Sequence, residues 1–71
     1  MSWWHCESTG AFYNLNTIGK IRFVCEPEIG VYKIEMFSDG DEIAFVFTYD
    51  YDEISVYRKE KREIMELMGM D

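Results

Sequence analysis

The sequence predicts an α+β domain, in which an antiparallel meander of about five strands is followed by one C-terminal helix packed on one face. Three observations predict it. Apolar residues alternate on both sides of Asp39-Gly40, complete helix-start signals follow at Asp50, and Thr9-Gly10 marks an earlier turn. The chain has 71 residues, enough for one small domain spanning 1–71. The elements are expected at approximately these positions: strands at 2–7, 11–15, 18–25, 30–37 and 42–49, and the helix at 51–68.

The first two strands form a predicted hairpin. Closing a two-residue turn at Thr9-Gly10 pairs Trp4 with Leu15 and Cys6 with Tyr13, all on one face of the ribbon. Because successive side chains of a strand point to opposite faces, His5 and Glu7 then lie on the other face.

The third strand is interrupted near its start. Gly19 breaks the alternation of apolar residues, which predicts a β-bulge at that position. Beyond the bulge, Ile21, Phe23 and Cys25 are expected to point toward the core.

A second hairpin is predicted at Asp39-Gly40, because Asp-Gly between alternating apolar residues favours a two-residue type I′ turn. Closing the turn there sets three pairs on the face that the helix is expected to cover: Met36 with Ile43, Ile34 with Phe45, and Tyr32 with Phe47. A slip of one residue would exchange the two faces, so the pattern specifies which residues point inward.

The helix has recognisable start and stop signals. Asp50 is the predicted N-cap with Glu53 as its capping-box partner, and Gly69 is the predicted stop. The apolar residues of the helix form one stripe, which Lys61 interrupts: Ile54, Tyr57, Ile64, Met65 and Met68. The basic residues at 58–62 are expected to be neutralised on the helix surface by the neighbouring acids Glu60, Glu63 and Glu66.

The order of these segments resembles that of a known group. A Trp-containing first strand, a Thr-Gly turn, the segment YNLNTIGKIRF, an Asp-Gly hairpin and YDYDEI opening a helix are similar to features of a loose group of small bacterial and phage proteins. Members of that group have an Asn-Leu-Asn step into the third strand and a Tyr-Asp step into a final helix. The resemblance spans most of the chain. It implies the meander with a C-terminal helix and a phage or mobile-element origin, and it implies no catalytic residues.

Composition and charge exclude several classes of function. Apolar residues make up 48% of the chain, which is too much for an intrinsically disordered protein. No segment approaches the ~18 uncharged residues of a membrane span, and residues 1–6 lack the features of a secretion signal, so we expect a cytoplasmic protein without membrane contacts. A net charge of −7 repels nucleic acid, and we therefore expect no direct nucleic-acid binding.

Residues with catalytic or metal-binding chemistry are few. His5, Cys6 and Cys25 are the chain's one histidine and two cysteines, and their spacing matches no metal-binding pattern. Because adjacent strand residues point to opposite faces, His5 and Cys6 do not share an ion or form a catalytic pair. We expect no metal, no cofactor and no enzymatic activity. Cys6 and Cys25 are expected as buried free thiols, although the spacing leaves a disulfide open.

The uncovered face of the sheet suggests the leading hypothesis, which is a small interaction module. It would bind a partner protein, or a second copy of itself as a homodimer, through the outer face or an edge of the sheet. That face mixes aromatic and β-branched residues with charges, which a merely solvated face does not need. The proposed contact residues are Trp3, Phe12, Arg22, Phe37 and Val46. Two alternatives remain open. In the first, these apolar residues are scattered and partly shielded by long Lys and Arg side chains. In the second, the helix covers less of the sheet and the N-terminal strands fold over the part that it leaves open.

The acidic residues suggest an alternative function. From Ile34 to Tyr57 there are seven acids and no Lys or Arg. Ordered carboxylates present negative oxygens to Lys and Arg as phosphates do, which is a device of inhibitors that occupy a nucleic-acid-binding site on a host enzyme. The candidates are Asp39, Asp41, Glu42, Asp50, Asp52 and Glu53. Solubility, turn formation and helix capping explain the same residues without a partner.

Overall fold

The computed structural model describes residues 3–69, and the expected start of the first strand at Ser2 lies outside them. Five antiparallel strands and one C-terminal α-helix confirm the predicted α+β class. The elements are β1 (Trp3–His5), β2 (Phe12–Asn14), β3 (Ile18–Glu26), β4 (Val31–Ser38), β5 (Ile43–Asp50) and α1 (Ile54–Met68). Short 3₁₀ turns at Leu15–Thr17 and Tyr51–Glu53 precede β3 and α1.

The strands are divided between two sheets instead of forming one continuous meander. β1 and β2 make a two-stranded sheet, and β3, β4 and β5 make a three-stranded sheet in that order. The small hairpin packs on the inner face of the larger sheet, where the Trp4 ring meets Phe47 at 5.3 Å and Tyr13 meets Phe45 at 4.9 Å between centroids. The N-terminal strands therefore cover a part of the sheet that the single helix leaves open.

The predicted register of the first hairpin is wrong. Trp4 pairs with Tyr13, not with Leu15, and Cys6 is joined to Ala11 by a backbone hydrogen bond of 2.9 Å. The connection is therefore a four-residue loop, residues 7–10, instead of a two-residue turn. A longer loop forms because its first backbone N–H groups turn toward a side chain of the helix, Glu60.

The predicted two-residue turn of the second hairpin is also wrong. The Ser38 backbone N–H donates a hydrogen bond of 2.8 Å to the Glu42 carbonyl across a three-residue loop. Asp41, not Gly40, adopts the left-handed backbone conformation, with φ of 61°. Three-residue hairpins combine a type I turn with one left-handed residue, and Asp accepts that conformation at a lower cost than most residues.

The different turn changes the register along β4 and β5. Three observed pairs lie two residues from their predicted positions: Met36 with Phe45, Ile34 with Phe47, and Tyr32 with Tyr49. A shift of two residues keeps each side chain on its face, so Phe45 and Phe47 still point inward. The three-residue loop places Ile43 opposite Phe37, which is on the outer face, and a bulge after this pair brings Phe45 opposite Met36. The inner position at the far end of β5 is taken by Tyr49.

The helix ends as predicted, but its α-helical part begins at Ile54 instead of residue 51, because Tyr51–Glu53 form a 3₁₀ turn after the predicted N-cap Asp50. The Glu53 carboxylate accepts a hydrogen bond of 3.1 Å from the Asp50 backbone N–H, as a capping box requires. Gly69 ends the helix with φ of 73°, a conformation that glycine adopts without strain. The buried side of α1 is formed by Tyr57, Glu60 and Ile64, and Lys61 extends over the Phe23 ring.

The core lies between the inner face of the three-stranded sheet, the small hairpin and α1. Its buried members are Trp4, Cys6, Leu15, Ile18, Tyr32, Ile34, Met36, Phe47, Tyr49, Tyr57 and Ile64. Cys25 was expected in this core but is exposed. It lies near the end of β3, an edge strand, and α1 packs mainly on β1, β4 and β5.

Candidate interaction surface

Strand β5 forms one edge of the three-stranded sheet and pairs only with β4 among the described residues. Its residues from Ile43 to Tyr49 carry no charge. The side chains at the turn end are accessible, because Ile43 is 60% exposed and Val46 is 45% exposed. An apolar edge strand with free backbone groups is a template for pairing with another chain.

The opposite edge, β3, has several features that discourage pairing. A bulge at Gly19 interrupts its register, and a Cβ atom there would lie 2.8 Å from the Asp39 carboxylate. Lys20, Arg22 and Glu26 are charged and exposed along the same strand. Bulges and charges are the usual means of blocking an edge, so the two edges of this sheet differ in kind.

The backbone groups of β5 alternate between β4 and the open edge. Ser38 and Glu42 are a hydrogen-bonded pair, and alternate residues of β4 point the same way, so Met36, Ile34 and Tyr32 also bond to β5. The intervening residues of β5, which are Val46 and Thr48, therefore direct their N–H and C=O groups toward the open edge.

The outer face of the sheet holds three of the five predicted contact residues. Arg22 and Val46 are opposite the same residue of β4, Glu35, and the Arg22 guanidinium forms an ion pair with it at 2.7 Å. Phe37 was expected to be exposed but is only 8% exposed. Lys20 and Arg22 lie over its ring, at 4.5 and 5.8 Å from the ring centroid, and their side chains shield it from water.

The other two predicted contact residues lie elsewhere. Trp3 and Phe12 belong to the two-stranded sheet, so the five residues do not share one sheet face. Both are exposed, and the Phe12 ring lies 4.7 Å from the ring of its pairing partner His5. The surface with the clearest capacity for binding is therefore the β5 edge together with Val46, and not the complete predicted set.

The acidic candidates form two clusters at opposite ends of β5, and all are exposed. The turn-end cluster is Asp39, Asp41 and Glu42, and the helix-end cluster is Asp50, Asp52 and Glu53. From Ile43 to Asp50 the strand extends about 23 Å at ~3.3 Å per residue. Lys20 lies 3.7 Å from Asp41, and both side chains are largely solvated.

A buried polar network holds the small hairpin against the helix, and its centre is Glu60, which is 0% exposed. Its carboxylate accepts hydrogen bonds from the backbone N–H groups of Glu7, at 3.1 Å, and Ser8, at 3.4 Å. The Tyr49 hydroxyl donates to the other carboxylate oxygen, and the Cys6 thiol lies 3.7 Å from the first oxygen. These donors satisfy the carboxylate, as a buried charged group requires.

The expectation that Glu60 lies on the helix surface is wrong. It stands in a run of charged residues, and composition alone therefore placed it in solvent. The spacing of Glu60 could have predicted its burial. It is three residues after Tyr57 and four before Ile64, in the middle of the apolar stripe.

An exposed ion pair lies beside this network. Lys59 donates to Glu7, and the hydrogen bond and positive charge lower the pKa of the Glu7 carboxyl and correspondingly raise the pKa of Lys59. Both side chains are solvated, so salt screens the pair and its contribution to stability is small.

Two tyrosines of the inner face have pKa values well above the usual range. Burial is the main cause for Tyr49, followed by its hydrogen bond to Glu60. Burial also raises the pKa of Tyr57, followed by its contact with the Cys25 thiol at 3.4 Å. The folded protein therefore favours the neutral phenol at both positions.

Alkaline titration tests these two phenols. An unfolded tyrosine ionises near pH 10, and a folded pKa above that value gives stability that is present below about pH 10 and lost as the pH rises further. We expect part of the phenolate absorbance at 295 nm to appear only as the circular dichroism signal is lost. Tyr49→Phe is expected to reduce that late fraction. Complete ionisation of a still-folded protein would contradict the assignment.

Catalytic and metal-binding arrangements are not evident in the part of the chain that the structure describes. Between residues 3 and 69, no group of three or more His, Cys, Asp or Glu side chains is placed to hold a metal ion. Cys6 is buried and Cys25 exposed, and both are free thiols. No helix in this range is both long and apolar enough to cross a membrane.

Comparison with known proteins adds no relative from which a function can be carried over. No protein-family model, no curated protein and no solved structure matches this chain.

Proposed function

We propose that this protein is a small, non-enzymatic interaction module that binds a partner protein by accepting one of its strands at the edge of β5. The observation that supports the proposal best is the contrast between the two edges of the sheet. β3 carries exposed charges along its length as well as a bulge, whereas β5, which is bulged only beside its turn, has no charge from Ile43 to Tyr49 and is unpaired on its outer side among the described residues. In strand addition, backbone hydrogen bonds supply affinity and alternate side chains supply specificity.

Side chains on both sides of the edge support the same proposal. Val46 and Ile43 are exposed beside the outer face, and Phe45 is partly exposed on the inner face beside Tyr13. A strand paired with β5 would bury apolar surface on both faces, at roughly 25 cal/mol for each Å² removed from water. Arg22 and Glu35 would lie beyond Val46 as a polar border to this contact.

The acidic-inhibitor hypothesis is the alternative, and the distribution of acids favours it less. A mimic of nucleic acid needs carboxylates along a continuous path, whereas here an uncharged strand separates two clusters. The two functions differ in salt dependence. An inhibitor complex built on carboxylates should weaken steeply from about 50 to 500 mM salt, and a strand-addition complex should retain most of its affinity.

Edge variants test the proposal directly. Thr48→Pro removes a backbone N–H that points to the open edge and none that bonds to β4, so the fold should survive, as judged by circular dichroism. Thr48→Val is the matched control, because it keeps the N–H. With a photo-cross-linker at Val46, we expect a discrete adduct from host lysate with the parent and Thr48→Val proteins and none with Thr48→Pro.

Light scattering after size exclusion identifies the remaining possibility, a second copy of this chain. A dimer that persists at high salt and is lost in Thr48→Pro would make the protein its own strand partner. An adduct that survives Thr48→Pro with undiminished yield would remove strand addition from consideration. Amide hydrogen exchange provides the backbone-level check, since Val46 and Thr48 should gain protection in the complex.

A further inference from the structure

We infer that the strand accepted by β5 is an apolar segment flanked by Lys or Arg at both ends, supplied by a different protein and not by a second copy of this chain. The inference depends on the proposed strand addition and specifies the chemistry of the partner. Two observations lead to it: the uncharged stretch of β5 from Ile43 to Tyr49, and the exposed acids at both of its ends.

The uncharged stretch of β5 determines which residues are expected in the centre of the partner segment. Side chains of the added strand would lie alternately beside Val46 on the outer face and beside Phe45 and Tyr13 on the inner face. The inner neighbourhood is apolar, so a charged residue of the partner strand on that face would be desolvated without a counter-ion. On the outer face Val46 offers an apolar neighbour, and the nearby Glu35 is already paired with Arg22. A continuous apolar or Thr-rich segment about as long as the exposed part of β5 fits this environment.

The two acidic clusters determine the charge expected at the ends of the partner segment. They are separated by about 23 Å, more than the Debye length of ~8 Å at physiological salt, so each attracts charge independently of the other. At the turn end, Lys20 offsets part of the charge of Asp41, and Asp39 and Glu42 have no ion-pair partner among the described residues. At the other end, the partial positive charge of the helix N-terminus offsets about half of one elementary charge, and the cluster contains three acids. Both ends stay negative.

The same charges disfavour pairing with a second copy. In an antiparallel arrangement of two β5 strands, the turn-end cluster of one copy lies beside the helix-end cluster of the other. A parallel arrangement places identical clusters side by side. Acids therefore meet acids in either orientation, in a protein whose net charge is already −7. A partner with basic ends removes this repulsion and replaces it with attraction.

Synthetic peptides test the inference. The probe is a fluorescently labelled peptide with a central Val-Thr-Val-Thr-Val segment and two lysines at each end, compared with versions that have two serines or two glutamates at each end. We expect the lysine version to bind about tenfold more tightly than the serine version at about 50 mM salt, which corresponds to a few exposed ion pairs. The glutamate version should bind weakest, and the differences should largely disappear at about 500 mM salt.

Variants of this protein distinguish strand pairing at the β5 edge from attraction by the acidic clusters. Thr48→Pro should abolish binding of every peptide. Combining Asp39→Asn, Asp41→Asn and Glu42→Gln should reduce the preference for lysine ends while leaving the binding of the serine peptide unchanged. Asn at position 41 keeps the left-handed turn residue, because Asn accepts positive φ. A peptide of the same composition with its lysines in the middle controls for attraction by charge alone, and it should bind at least tenfold more weakly.

Each remaining outcome is decisive. Equal binding of the lysine and serine peptides would overturn the inference about charge and leave strand addition intact. Lysine-peptide binding that survives Thr48→Pro would overturn both, because the peptide would then be held away from the edge. If no peptide binds, the inference fails, and the cross-linking experiment with full-length partners decides the proposed function separately. A stable dimer through β5 would also overturn it.

Discussion

Replacing Glu60 by alanine is expected to lower the free energy of unfolding by about 3–5 kcal/mol, because one buried and two partly buried donors lose their acceptor together. The backbone N–H groups of Glu7 and Ser8 and the Tyr49 hydroxyl all point at this one carboxylate. A domain of this length has roughly 4–10 kcal/mol of stability in total. The expected loss is therefore a large fraction of the total stability, and the unfolding transition of the variant should move to a much lower urea concentration.

Urea denaturation followed by circular dichroism measures this loss. Glu66→Ala is the matched control, since it removes a glutamate of the same helix from an exposed position and should change stability by less than about 0.5 kcal/mol. Tyr49→Phe removes one donor and leaves the acceptor satisfied by the loop, so about 1–2 kcal/mol is expected. If Glu60→Ala and Glu66→Ala behaved alike, the buried network would have no stabilising role.

Truncating Trp4 to alanine is expected to cost about 3–5 kcal/mol, the usual range for a buried Trp. The side chain is 1% exposed and packs edge-on against Phe47 and beside Tyr13, so it connects the small hairpin to the larger sheet. Without it, the hairpin keeps its loop contact with Glu60 and the contacts of Tyr13 with β5 but loses the buried indole that packs on Phe47. We expect the hairpin to detach in the alanine variant and uncover the inner face.

Two variants make this test specific. Trp3→Ala is the natural control, because the neighbouring tryptophan is 48% exposed and its loss should cost less than about 1 kcal/mol. Trp4→Phe should be milder than Trp4→Ala, since it keeps much of the packing and also removes the indole Nε1, a buried donor that has no partner within residues 3–69. Thermal unfolding of the three variants compares them, and equal losses for Trp3→Ala and Trp4→Ala would contradict the assigned packing.

The positions of most elements follow from local signals. The bulge at Gly19, the capping box of Asp50 and Glu53 and the stop at Gly69 each depend on a few neighbouring residues. Alternation correctly placed Ile34 and Met36 in the core, because the two-residue period of a strand does not depend on which turn closes it.

The candidate surface was predicted only in outline. A free sheet edge and an exposed Val46 follow from strand order and alternation. Shielding by long Lys and Arg side chains was an open alternative, but the sequence does not say that Phe37 is the covered ring, since this depends on how Lys20 and Arg22 fold over it. The separation of Trp3 and Phe12 from the outer face does not follow from the sequence either, because the two-stranded sheet is placed by its contacts with β5 and α1.

The sequence by itself determined the class of the fold, the order of its strands and helix, and the caps and bulge, since each of these depends on residues close together in the chain. Only the tertiary structure decided the two hairpin registers, the division into two sheets and the burial of Glu60. Those features depend on free-energy differences between contacts of distant residues. The loop at residues 7–10 turns as it does because a carboxylate more than fifty positions later accepts its N–H groups.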